Sequence, residues 1–209
     1  NYASGERDRM YKLVFRGAKF SYLLLLTLSM PVIIEAPFIL DLWLKEVPEY
    51  TVIFLQIAIF TAMLNTLSNP LIVTMHATGK VRDYQIVVGG LSLLTLPLVY
   101  ITLKFGAEPY QAMIIAFVVE FACHLARLYM LNRSISFPII RYLSNVTFRV
   151  YAITLIAMII PVIVHNCIES EIPRFISVSI ISLISTIVIG YVFGFNKEER
   201  AMIKEKVIR

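Results

Sequence analysis

The sequence predicts an all-α polytopic membrane helix bundle with six transmembrane helices. Three observations carry this. Of the 209 residues 58% are hydrophobic and only 16% charged, the mean hydropathy is +0.77, and the apolar residues gather into six long stretches. A soluble domain of this size cannot bury so much apolar surface. A helix rising about 1.5 Å per residue must cross about 30 Å of hydrocarbon. The stretches that meet this requirement are residues 17–36, 51–75, 86–103, 110–131, 150–168 and 175–195. The chain then divides into a basic segment 1–16, four spans within 17–131, a linker 132–149, two spans within 150–195, and a basic tail 196–209.

Charge gives the orientation. Sixteen of the 19 Lys and Arg residues collect on one side of these spans: Arg7, Arg9, Lys12, Arg16 and Lys19, then Lys80 and Arg82, then Arg127, Arg133, Arg141 and Arg149, then Lys197, Arg200, Lys204, Lys206 and Arg209. The other side has Lys45, Lys104 and Arg174, set among Asp41, Glu46, Glu49, Glu108, Glu169 and Glu171. Positive residues stay with the cytoplasm, so both termini are expected there. The net charge of +5 is accounted for by topology, and no nucleic-acid partner is expected. Asn1 is followed by a polar, basic stretch unlike a signal peptide, which reads as a piece of a longer protein.

Taken in order, the first span carries Pro31 and closes near Glu35, a residue placed either at the outer headgroups or toward a cavity. The turn PFILDLWLKEVPEY after it sets Phe38, Leu42, Trp43 and Tyr50 at the water boundary, where amphipathic rings anchor a bundle. The second span holds Asn65, Ser68, Asn69 and Pro70. A proline with polar neighbours in hydrocarbon frees backbone groups that need shelter, so an interrupted, bent helix facing a cavity or another helix is expected, with Asn65 and Asn69 lining that cavity. Gly89, Gly90 and Pro97 in the third span suit close helix approach and bending. The linker 132–149 mixes Ile135, Phe137, Ile139, Ile140, Tyr142 and Leu143 with three arginines, as a segment lying in the inner interface would. His76, His165 and Asn166 fall at span ends and are assigned to the interfaces.

The fourth span stands out for ionisable groups well inside it, Glu120, His124 and Arg127, spaced to share one helical face. Such groups are costly in lipid and turn toward a bundle interior or a water-filled path. Glu120 has the chemistry to exchange a proton or accept a sodium ion, His124 to titrate near neutral pH, and Arg127 to hold a phosphate with a bidentate fork. The structural alternative pairs Glu120 with His124 and lets Arg127 reach the cytoplasmic interface. Cys123 and Cys167 lie in separate apolar stretches without CxxC spacing, so neither a disulfide nor a metal site is expected. No GxSxG, Walker loop or HExxH is present, and the reading is of a protein that is not an enzyme and uses no cofactor.

PVIIEAPFILDLWLKEVPEYTVIFLQIAI, the stretch from NTLSNPLIVTMHATGKVRDYQ to ITLKFG, and RLYMLNRSISFPI resemble the bacterial polysaccharide flippases of the multidrug/oligosaccharidyl-lipid/polysaccharide (MOP) transporter superfamily. The O-antigen and lipopolysaccharide-biosynthesis type is the nearest. HATGK is the most specific piece, and residues 1–149 carry the likeness. The resemblance implies the C-terminal lobe of a two-lobe transporter in the bacterial cytoplasmic (inner) membrane, moving a polyprenyl-diphosphate-linked oligosaccharide between leaflets. Its implied partners are that lipid-linked oligosaccharide, membrane lipids and an N-terminal lobe of the same protein. A cationic cavity residue that meets the diphosphate is carried over only to Arg127. Two alternatives stand beside it: a drug or cation antiporter of the same superfamily, and a membrane-embedded glycan enzyme, which would usually need an external loop longer than residues 37–50. A purely structural membrane subunit is a further class.

Overall fold

A computed structural model describes residues 2–195, and within them every regular element is helical. The order is α1 (Tyr2–Ile34), α2 (Ala36–Trp43), α3 (Thr51–Ala77), α4 (Val81–Leu93), α5 (Thr95–Lys104), α6 (Pro109–Ile135), α7 (Ile139–Tyr142), a π-helical turn Leu143–Thr147, α8 (Phe148–Cys167), α9 (Glu171–Ile189) and a second π-turn Gly190–Gly194. Six of the resulting rods are long and apolar enough to cross a membrane: Glu6–Ile34, Thr51–Ala77, Val81–Lys104, Pro109–Ile135, Ile139–Cys167 and Glu171–Gly194. Their outward faces carry bare aliphatic side chains such as Leu24, Leu28, Leu155 and Ile187. In water those would be a liability, whereas in lipid they are at home, and the chain is a multi-pass membrane protein.

Helix α1 packs on α3, α8 and α9, while α6 packs on α3, α4 and α5. The bundle is therefore two groups of helices that meet chiefly along the α1–α3 seam. The core runs through both, with Tyr22, Leu26, Leu67, Leu71, Leu128, Leu131, Phe137 and Tyr142 almost wholly buried. Small residues permit the tightest contact: a Cβ on Gly194 would sit 3.1 Å from Leu23 Cδ1 and 3.3 Å from Ile153 Cδ1.

Several boundaries differ from those read in the sequence. The fifth span starts at Ile139 rather than at residue 150, so the supposed interfacial linker is helical over most of its length. Its Phe137, Tyr142 and Val146 are fully buried, and Phe137 and Tyr142 join Tyr11 and Phe15 in an aromatic cluster with ring centroids 5.4–5.9 Å apart. Ile140 and Phe148 face outward, which is the amphipathic pattern that suggested an interface. Helix α3 passes through Pro70 as one unbroken helix, so the proline does not interrupt it. Instead the third rod breaks, at Leu94, three residues before Pro97, whose missing N–H leaves the Leu93 carbonyl without its helical donor. A Cβ on Gly89 or Gly90 would meet nothing within 4 Å, so neither glycine is needed to make room for a neighbouring helix. Only 6% of the most apolar stretch of this rod is buried.

The tail residues 196–209, with Lys197, Arg200, Lys204, Lys206 and Arg209, lie outside the described residues.

Candidate functional site

Among the described residues, two clusters of buried ionisable side chains stand out, one midway along α6 and one at the α1–α2 junction. The first is built on α6, where residues 120, 124 and 127 turn toward α3 and α4. Glu120 and Arg127 are two helical turns apart, and Arg127 Nη1 donates to Glu120 Oε1 at 2.7 Å. The arginine side chain is 9% exposed and the glutamate 22%. Arg127 also lies against the buried phenol of Tyr84, on α4. His124, 2% exposed, keeps its Nδ1 2.7 Å from Ser68 Oγ of α3. The carboxylate thus selects Arg127, not His124, because seven residues bring two long side chains into line while the imidazole is taken by a serine. His124 Nε2 and Arg127 Nε are buried without a hydrogen-bond partner among the described residues. Beside them the Tyr142 hydroxyl donates to the Leu67 carbonyl at 2.8 Å, and its ring centroid lies 6.5 Å from that of His124.

The amides of the second span take no part in this cluster. Ser68 points into it from α3, but Asn65 is half-buried and Asn69 exposed, on the face of α3 that looks out of the bundle. Pro70, between these two faces, is half-buried.

The second cluster gathers around Glu35, which the sequence left between the outer headgroups and a cavity, and it includes His165, which the sequence assigned to the interface. The break between α1 and α2 falls on Glu35, whose side chain is 0% exposed. His165 Nδ1, at the end of α8, lies 2.7 Å from its Oε1, and Arg174 Nε, in the first turn of α9, donates to its Oε2 at 3.2 Å. One carboxylate therefore clamps three rods. The fourth span is not alone in carrying interior charge: besides Glu35, Lys19 is 2% exposed and its Nζ donates to the Gly194 carbonyl at 3.3 Å. A helix C-terminus presents free carbonyls and a partial negative charge, which a buried ammonium satisfies.

No family model, curated protein or solved structure matches this chain.

Its chemistry has to be read from its own side chains. Among the described residues no group of three or more His, Cys, Asp and Glu stands close enough to hold a metal ion, and Cys123 and Cys167 are free thiols, one buried and one exposed. What the α6 cluster can do is exchange partners. A guanidinium held by one carboxylate oxygen has donors left over, and an incoming anion can take the place of Glu120.

Proposed function

We propose that this chain is the C-terminal lobe of a two-lobe flippase that carries a polyprenyl-diphosphate-linked oligosaccharide across the bacterial cytoplasmic membrane, for lipopolysaccharide, O-antigen or capsule synthesis. Both ends of the lobe lie in the cytoplasm, as the segregation of Lys and Arg requires. The observation that carries the reading is the Glu120–Arg127 ion pair, 2.7 Å long, in the middle of a span. A buried pair of this kind stabilises a fold poorly compared with apolar packing, so its presence at mid-depth favours work on an ion or an anionic substrate. In the cycle Arg127 engages the lipid diphosphate as it enters from the cytoplasmic mouth, and Glu120, released from the arginine, takes up a proton or sodium ion. No covalent bond is made or broken.

The test is complementation with the full-length reading frame in a strain lacking it. Glu120→Gln and Arg127→Ala, each at wild-type membrane abundance, are expected to abolish surface glycan. Arg127→Lys, which keeps the charge and loses the planar fork, is expected to restore it only in part. Normal surface glycan in all three strains would refute the reading.

A further inference from the structure

We propose a second binding site, for a phosphoryl group, on the cationic face of the bundle where α3 ends, α4 begins and α6 ends. A cavity of about 150 Å³ there is lined by Met75, Lys80, Asp83, Met130, Arg133 and Ser134. Its floor is apolar, from the buried Met75 and Met130, and its rim carries two cations. Neither Lys80 nor Arg133 has an ionic partner among the described residues. Ser134 Oγ is buried and has no hydrogen-bond partner among the described residues, which leaves a donor unused there.

The HATGK turn shapes this site. Gly79 sits at φ +72, where an L side chain would be strained, and the Lys80 N–H donates to Thr78 Oγ1 at 3.3 Å. That turn delivers Lys80 to the N-cap of α4, a 13-residue helix with no side-chain cap. Its first N–H groups are open, and they add positive potential beside the two cations. Asp83 opposes a bare anion but accepts from a hydroxyl, so the ligand that fits is a phosphoryl group next to hydroxyls. A phosphatidylglycerol headgroup has that chemistry, and basic pockets between spans at the cytoplasmic side hold such headgroups. Free inorganic phosphate shares the anion without the hydroxyls. The site does not depend on the transport reading.

Native mass spectrometry of the delipidated full chain distinguishes these. Phosphatidylglycerol should be retained over phosphatidylcholine, and Lys80→Gln and Arg133→Gln should each weaken it about fivefold. Arg82→Gln, exposed and outside the cavity, should not. Ser134→Ala should weaken binding while raising the melting temperature of the lipid-free protein, because it deletes a buried hydroxyl with no partner. This variant keeps the test decisive if a charge variant fails to fold. Displacement of the lipid by inorganic phosphate, strengthened by Asp83→Asn, would assign the site to the bare anion. Undisturbed retention in excess phosphate would assign it to the headgroup. Equal losses in Arg82→Gln and Lys80→Gln, or no loss in Ser134→Ala, would overturn the site.

Discussion

Arg127 combines a carboxylate that neutralises it with an Nε of its own that has no partner among the described residues. Removing one member of a buried pair strands the other charge, so Arg127→Ala should lower stability by about 3–5 kcal/mol in a denaturation series. Replacing both members with apolar or neutral groups of like volume, as in Glu120→Gln with Arg127→Met, should recover most of that stability without recovering transport. Equal melting temperatures for wild type and Arg127→Ala would mean that the pair is not closed in the membrane. A smaller effect is expected of Tyr142→Phe, which leaves the ring in its aromatic cluster and deletes one hydrogen bond to the Leu67 carbonyl, at a cost of about 0.5–1.5 kcal/mol. The α6 trio was legible from the sequence because its members share one helix, and helical spacing alone puts them on one face. Which of them pair was not legible. Ser68 captures His124 from 56 residues away, and no periodicity reports that. Glu35 was ambiguous for the same reason, since its partners lie 130 and 139 residues downstream.

Among the helices, glycines give the sharpest contrast. Six apolar rods were readable because membrane thickness sets their length, but which rod would be bound closely to its neighbours was not. Gly89 and Gly90 looked like packing residues and meet nothing, whereas Gly194 lies against Leu23 and Ile153. Gly194→Ala should therefore overpack the α1–α8–α9 contact and cost about 1–3 kcal/mol. Gly90→Ala should be neutral or stabilising, because alanine is the better helix former by about 1 kcal/mol. Thermal unfolding of the two variants side by side decides it, and the reverse order would mean that the third rod is bound more closely than the bundle shows. Proline was misleading in a related way. Pro70 stays within an unbroken helix, and the break falls near Pro97, in the rod with the fewest neighbours to hold it straight.

For the whole molecule, the proposed orientation rests on the distribution of charge and can be measured directly. Cysteines placed at positions 46, 107 and 171 should react with an impermeant reagent from outside the cell, and those at 80, 138 and 200 should not, while the reversed pattern would invert the topology. The Glu35 clamp adds a dimension of time. Ribosomes add about 5–20 residues per second, so Glu35 is incorporated roughly 7 to 28 seconds before Arg174, a separation of 139 residues. For most of that interval α1 carries an acid with neither of its partners, until His165 appears nine residues before Arg174, and completion of α8 and α9 relieves it. Chains cut short at residue 160 should therefore be cleared quickly by membrane proteases, and Glu35→Gln should lengthen the lifetime of the truncated chain while shortening that of the full one. Pulse-chase decay at equal rates for both truncated forms would rule this out. If the rates differ as expected, the carboxylate that closes α1 serves as the cell's proofreading mark for whether α8 and α9 were ever made.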